Sequence, residues 1–297
     1  MHQNLKLVSR AKINLTLEVL FKRSDGYHEI RSVIQEISLC DFITLNPITS
    51  SNRIELVCHH EDIPRDETNL AVRAAALLQR KFALRRGVLI ELVKNIPIAA
   101  GLGGGSSNAA AVLNGINRLW ELNLEAPELV QLAAQLGSDV PFFIQGGTAL
   151  AQGRGEKLTL LTPFPNCHLL LAAPAGAELS AGEVYSNLTL DKIPNKTIAG
   201  QFILELDRAG HLGRDWLKRL QTLMTNQLED AVFSLNPGVK TLKKKLREAG
   251  LTALVSGSGP TVFAVSEEEG ILRQTSDKLR GEGYTVIMTG IPASKNL

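Results

Sequence analysis

The sequence has only three cysteines in 297 residues, Cys40, Cys58 and Cys167. They are far apart and form no CxxC pair. That argues against a disulfide framework or a cysteine-rich zinc site and suits a reducing compartment. Aromatic residues are 5% of the chain, too few for a surface that stacks on many bases. An excess of charge of one sign is also missing. Lys plus Arg is 32 and Asp plus Glu is 30, a net charge of +2, which disfavours a nucleic-acid binder. No apolar run reaches the ~18 residues that suggest a membrane span. Met1-His2-Gln3-Asn4 lacks the layout of a signal or transit segment. A cytoplasmic protein with no nucleic-acid or membrane partner is expected.

Hydrophobic residues are 44% and charged residues 21%, the balance of a chain that buries a core rather than staying disordered. Period-two alternation predicts strands at 15–19, 42–45 and 53–57. Ser24-Asp25-Gly26 marks a turn. Thr68-Asn69 precedes a helix with Leu70, Ala74, Leu77 and Leu78 on one face. A strand over 88–93 closes at Asn95-Ile96-Pro97. The next helix carries Ala109, Val112, Leu113, Ile116 and Leu119 at helical spacing, with Ser106 or Ser107 expected as its N-cap. Pro127 opens a further helix that Gly137 stops. Beyond Pro163-Phe164-Pro165 the pattern changes. A strand is expected at 168–173, irregular chain at 176–200, and helices at 201–208, 214–233 and 237–249. Strands are expected either side of residues 256–260, then a helix, then a last strand at 284–289. Strands and helices segregate, so the fold class is α+β, with domains expected at 1–165 and 166–297.

The 25 glycines are unevenly placed. Pro97-Ile98-Ala99-Ala100-Gly101-Leu102-Gly103-Gly104-Gly105-Ser106-Ser107 joins a strand to a helix. Bare backbone lets amide N–H groups approach an anion closely, and the helix N-terminus adds its positive dipole end. A phosphate cradle follows. It is not a Walker loop, because no lysine follows the glycines, and Ser106 stands where a dinucleotide fingerprint needs glycine.

Ser9-Arg10-Ala11-Lys12-Ile13-Asn14-Leu15 puts Lys12 and Asn14 on one face of a strand. A lysine in an apolar strand needs a partner or solvent, and Asp139 of Gly137-Ser138-Asp139-Val140-Pro141 is a candidate. Beside a phosphate loop the two suit phosphoryl transfer. The lysine favours the ionised acceptor oxygen, and the carboxylate takes or orients its proton.

These segments resemble the GHMP kinase superfamily. Its first motif is matched by Ala11-Lys12-Ile13-Asn14-Leu15 and its second by the Pro97–Ser107 loop. Its third is matched by Ser256-Gly257-Ser258-Gly259-Pro260-Thr261-Val262-Phe263. Arg23-Ser24-Asp25-Gly26-Tyr27-His28, the Gly137–Phe143 stretch and Gly146-Gly147 through Glu156 resemble one branch, which acts on a cytidine diphosphate methylerythritol compound in isoprenoid biosynthesis. The resemblance implies a two-domain GHMP kinase architecture with a ferredoxin-like C-terminal domain, an ATP-dependent kinase with Mg²⁺, and no obligatory protein partner. It makes Lys12 and Asp139 the catalytic residues and Pro97–Ser107 the ATP-phosphate site. Asn14, Tyr27, His28 and Tyr185 become substrate contacts, and Gly257, Ser258 and Gly259 a supporting loop. It assigns no Mg²⁺ ligands. Another small-molecule kinase of the superfamily, or a silent nucleotide-binding regulator, are the alternatives. Asp25–His28 argues against the first, and intact Lys12 and Asp139 against the second.

Two positions depart from the pattern. Asn108 stands where many relatives have Asp, and Asn226-Gln227-Leu228-Glu229 where many read N-D-L-E. His59-His60-Glu61-Asp62 resembles a metal cluster on paper, but adjacent strand residues face opposite ways. Lys243-Lys244-Lys245 is expected on the solvated side of its helix, with Leu242 and Leu246 inward.

Overall fold

A computed structural model describes residues 4–189, 197–209 and 215–292. The chain forms two compact units. The first comprises Met1–Ala11, Leu39–Ile98 and Gly103–Gly146; the second comprises Lys12–Ser38, Ala99–Leu102 and Gly147–Leu297. This division follows contacts, whereas the expected boundary at 165 follows chain order.

Two long strands, β1 (Leu5–Lys22) and β2 (His28–Ile48), contribute residues to both units. Alternation revealed only a later part of each, 15–19 and 42–45. Ala11 to Val19 is buried without a break, so its polar face, Lys12, Asn14, Thr16 and Glu18, is covered as fully as its apolar one. In the first unit, β3 (Ile54–Cys58) is followed by α1 (Leu70–Lys81) and β4 (Gly87–Val93). Asn69 caps α1 by accepting the Ala71 amide at 2.9 Å, as Thr68-Asn69 suggested. β4 pairs antiparallel with the end of β2 and parallel with β3. Then come α2 (Gly104–Leu119), α3 (Ala126–Leu136) and α4 (Val140–Gln145). The predicted faces of α1, α2 and α3 supply the core: Ala74 and Leu78, Val112, Leu113 and Ile116, and Leu132 pack with Ile43, Leu45 and Ile90 of the strands. Burying each Leu or Ile contributes about 1.5–3 kcal/mol.

In the second unit, β5 (Thr148–Gly153) pairs antiparallel with the first part of β2, and β6 (Lys157–Leu160) with β5. Next are β7 (His168–Pro174), α5 (Ala181–Ser186), α6 (Ile198–Ala209) and α7 (Trp216–Leu223). The two-residue strand β8 (Thr225–Asn226) pairs parallel with β1, Thr16 opposite Thr225 and Leu17 opposite Asn226. α8 (Glu229–Leu235), α9 (Pro237–Glu248), β9 (Ala253–Val255), β10 (Val262–Ser266), α10 (Glu269–Gly281) and β11 (Tyr284–Gly290) complete the chain. The strand order β11-β7-β10-β9, antiparallel throughout, is a β-α-β-β-α-β layout of the ferredoxin-like kind.

Three local expectations change. The helix expected at 214–233 is broken, and residue 214 lies outside the described residues. Asn226 spends its side chain on backbone groups, as asparagine tends to do outside helix interiors. The irregular stretch at 176–200 contains α5, fixed by a Ser180–Glu183 capping box, and the start of α6; residues 190–196 lie outside the described residues. Lys243 is not solvated. It is 6% exposed and its ammonium donates to Glu229 at 2.6 Å. Burial pushes its pKa down against the pull of that carboxylate.

α6 begins on a long-range cap. Glu18 of β1 is 1% exposed, and its two carboxylate oxygens accept the Ile198 and Ala199 amides at 3.0 Å each. A carboxylate suits the positive end of a helix. Glu18→Ala is expected to lower stability by about 1–3 kcal/mol, since the buried Ala199 amide and the half-buried Ile198 amide lose their acceptor. Urea unfolding would measure this, and an unchanged midpoint would contradict it.

Candidate active site

On β1 the two-residue spacing places Lys12 and Asn14 side by side. The Lys12 ammonium donates to Asn14 Oδ1 at 2.7 Å, and the Asn14 amide donates to Ser32 Oγ at 2.8 Å. Lys12 and Asn14 are 5% and 4% exposed. The Lys12 backbone N–H donates to Leu102 O at 3.0 Å, fixing the strand to the glycine-rich loop.

That loop meets the third motif backbone to backbone. Ser256 Oγ donates to Gly101 O at 3.0 Å. Gly101 has φ +74°, and a Cβ there would lie 2.1 Å from Ser256 O. A Cβ on Gly257, at φ +54°, would lie 3.1 Å from Lys12 Nζ, 3.3 Å from Asn14 Oδ1 and 3.3 Å from Gly101 O. The structure therefore brings together Lys12, Asn14, Gly101, Leu102 and Gly257. Ser258 stands half-exposed beside Gly257, and the Gly259 amide closes the turn onto Ser256 O at 2.8 Å.

The chain then enters α2, whose N-cap is Gly103 at φ +70°, not Ser106 or Ser107. The two serines sit inside the first turn. The left-handed backbone at Gly103 starts the helix early, and the Ser107 N–H makes an early helical bond to Gly103 O at 2.9 Å. The amides of Gly104, Gly105 and Ser106 precede that bond. The first turn carries no acidic residue, so the helix brings no negative side chain of its own against an anion there.

Sequence reading missed the residues beneath this turn, in the first unit. Asp41 is fully buried, and its Oδ1 accepts the amides of Asn95 and Ile96 at 2.7 and 2.8 Å. Lys94 Nζ reaches Asp41 Oδ2 and Ile96 O, both at 2.7 Å. Burial pushes the Lys94 pKa down, with Asp41 opposing. The Asn108 amide donates to Asp41 Oδ2 at 2.9 Å and Ser9 Oγ at 2.8 Å, and Ser9 Oγ donates to Ser107 Oγ at 2.7 Å. This explains the first departure: an aspartate at 108 would set a second carboxylate against Asp41. The available signal was a lone Asp in an apolar strand and a lysine just before the loop.

The second departure also has a role. Gln227 Oε1 accepts the Val19 amide at 2.6 Å, while the Gln227 N–H donates to Leu17 O at 3.0 Å. Asp139 stands at the N-terminal edge of α4, half-buried, in the first unit.

The Arg23–His28 turn presents a different surface. His28 stacks on Tyr185 with ring centroids 5.1 Å apart and planes 23° apart, so two expected substrate contacts meet. Tyr27 is 50% exposed, and the Arg154 guanidinium lies 4.9 Å from its ring centroid. Arg23 bridges Asp25 at 2.9 Å and Glu29 at 2.7 Å, and Glu29 accepts the Gly153 amide at 3.0 Å. Partial burial, then the Lys22 charge, push the His28 pKa down. His59 and His60 lie past the end of β3.

Loop amides, a helix N-terminus, a buried cation and a stacked ring pair suit a phosphorylated ligand and a planar base. The family models described as GHMP kinases N terminal domain and GHMP kinases C terminal match residues 69–147 and 212–285. The chain belongs to the GHMP kinase family, a family of ATP-dependent phosphotransferases. Within it the chain resembles 4-diphosphocytidyl-2-C-methyl-D-erythritol kinases. That of Geobacillus sp. (strain WCH70) is 43% identical over 274 residues, 91% of each chain. That of Bacillus cytotoxicus is 41% identical over 284 residues, 94% of this chain and 95% of the relative. A crystal structure of 4-(cytidine 5'-diphospho)-2C-methyl-D-erythritol kinase superposes with a TM-score of 0.80 at 32% identity, covering 98% of this chain and all of the other. No helix among the described residues is long and apolar enough to cross a membrane.

Two measurements check this site. Gly101→Ala places a methyl group against a carbonyl and strains φ, so it is expected to destabilise by at least about 1–3 kcal/mol and to lower turnover; wild-type values for both would refute the close approach. The His28 imidazole is expected to titrate below its ordinary value of 6.5 in an NMR titration. The unfolded chain then takes up that proton first as pH falls, so His28 removes stability through that range. A midpoint at or above 6.5 would contradict the burial described.

Proposed function

We propose that this kinase transfers the γ-phosphoryl group of ATP to the 2-hydroxyl of 4-diphosphocytidyl-2-C-methyl-D-erythritol, in non-mevalonate isoprenoid precursor biosynthesis in the cytoplasm. The observation that carries the reading is the meeting of Lys12, Asn14, Gly101 and Gly257 on a chain about 40% identical to kinases of that name. Phosphoryl transfer asks a protein chiefly for positioning and charge neutralisation, and these residues offer both.

Each part then has a task. The Pro97–Ser107 loop and the first amides of α2 receive the ATP phosphates. Lys12 neutralises charge on the acceptor oxygen and the transferring group. Asp139 accepts the hydroxyl proton as the new P–O bond forms and the bond to the ADP oxygen breaks. Asn14 orients Lys12 and the sugar alcohol. Tyr27 and His28 contact the cytidine diphosphate substrate, and Tyr185, which His28 stacks on, offers an aromatic face to the cytosine. Gly257, Ser258 and Gly259 brace the phosphate loop. The 1–165 segment carries the catalytic pair and the phosphate loop, and 166–297 supplies Tyr185 and the bracing loop.

Mg²⁺ accompanies ATP. The oxygen donors at the loop fit a hard cation, and the Ser106 hydroxyl would hold it. Among the described residues no three His, Cys, Asp or Glu side chains gather into a metal-holding group. When bound it neutralises phosphate charge.

Asp139→Ala is expected to lower kcat by about 10²–10⁴-fold while ATP binding by calorimetry stays within a few-fold of wild type. Wild-type turnover in this variant would remove Asp139 from the reaction. Turnover of a different small alcohol in place of the cytidine compound would move the protein to another branch of the family.

A further inference from the structure

The β1–β8 pairing and the third motif share one side chain, Asn226. It is 5% exposed. Its amide nitrogen donates to Val255 O at 2.9 Å and to Gly257 O at 2.8 Å, and its Oδ1 accepts the Leu228 amide at 2.9 Å. Its backbone is paired opposite Leu17, on the strand that bears Lys12 and Asn14. The neighbouring Gln227 ties the same strand twice, through Leu17 O and the Val19 amide.

A second tie reaches the same loop. Glu229 accepts the Val255 N–H at 3.0 Å and is held by buried Lys243. Residues 226–229 therefore hold the loop entrance at both the amide and the carbonyl of Val255, and at the carbonyl of Gly257. All of these residues belong to the second unit.

We propose that Asn226 is a positioning residue for the kinase reaction. It sets the Gly257 backbone against Lys12 by tying the third-motif loop to the Lys12 strand. The physical reason is the tightness of the contact. A Cβ on Gly257 would stand 3.1 Å from Lys12 Nζ, so the loop backbone runs close to the ammonium; Ser256 ties the loop to Gly101 and Glu229 ties it at the Val255 amide, while Asn226 holds the Gly257 carbonyl itself. Two carbonyls facing one amide leave no other side chain of that size to do the work. Aspartate offers no donor when ionised, and leucine none at all. A displacement of about 1 Å at such a distance lowers rates by about a hundredfold. The proposal rests on the functional reading above, in which Lys12 acts on the reacting groups.

The test compares Asn226→Ala and Asn226→Asp with the full-length wild type, each normalised to its folded fraction. In Asn226→Ala, kcat is expected to fall about tenfold to a hundredfold while the Kd for ATP changes less than about threefold. Asn226→Asp is expected to be slower still, because its carboxylate faces two carbonyl oxygens. Hydrogen exchange of the 252–262 peptide, read without turnover, is expected to quicken in Asn226→Ala and not in a peptide from α3. Wild-type kcat in either folded variant, equal losses of kcat and ATP affinity, or unchanged exchange in 252–262 would overturn the proposal. If Asn226→Asp fails to fold, Asn226→Ala decides alone. If the wild type does not phosphorylate the cytidine compound, the functional reading fails, and the exchange result still judges the tie.

Discussion

Everything at this site depends on two stretches of backbone coming within reach of each other with no side chain between them. Gly101 and Gly257 lack Cβ atoms at the points where one would meet Ser256 O and Lys12 Nζ. Close packing of main chain on main chain leaves room for a buried ammonium beside bare backbone, with Asn14 Oδ1 as its acceptor. A lysine so placed keeps its orientation through Asn14, and Asn14 through Ser32. The order is hierarchical. Glycines permit the approach, hydrogen bonds fix it, and the charge is then held where it is needed.

The loop is supported from beneath by a different device. In the first unit a fully buried carboxylate, Asp41, gathers two amides, the Lys94 ammonium and the Asn108 amide. A buried charge is tolerated only when its lone pairs are occupied, and here the donors come from the residues that lead into the phosphate loop and from α2. Removing any donor leaves a buried anion short of partners, so the arrangement is all-or-none. That gives the segment before Pro97 a fixed exit direction.

Much of this was legible in the sequence, and the divide is physical. Motifs whose chemistry needs glycine stand out, because few other constraints gather four glycines into five positions. Lys12 and Asn14 were readable because strand periodicity fixes their common face. Asp41 and Lys94 were not, since each looks ordinary until two distant segments are side by side. Lys243 was misread because three consecutive lysines look solvated, while the partner that draws one of them inward lies 14 residues away. The break near 224 was hidden because Asn226 prefers non-helical backbone only mildly by itself. Its β1 pairing and two carbonyl partners decide the matter. The start of α2 was misplaced because serine is the commoner cap, whereas a glycine at positive φ starts this helix.

That last feature bears on how the protein lives with its nucleotide. A 16-residue helix that begins on Gly103 with no side-chain cap and no acid in its first turn is a helix whose terminating group is supplied from outside. In the binding mode proposed above, the phosphates of ATP complete it. Folding and nucleotide occupancy are thus linked by mass action: at a free ATP concentration a hundredfold above Kd, the folded state gains about 2.7 kcal/mol. On that proposal the nucleotide-bound enzyme is sturdier than the ligand-free chain, and exhaustion of the co-substrate would loosen the protein as well as idle it.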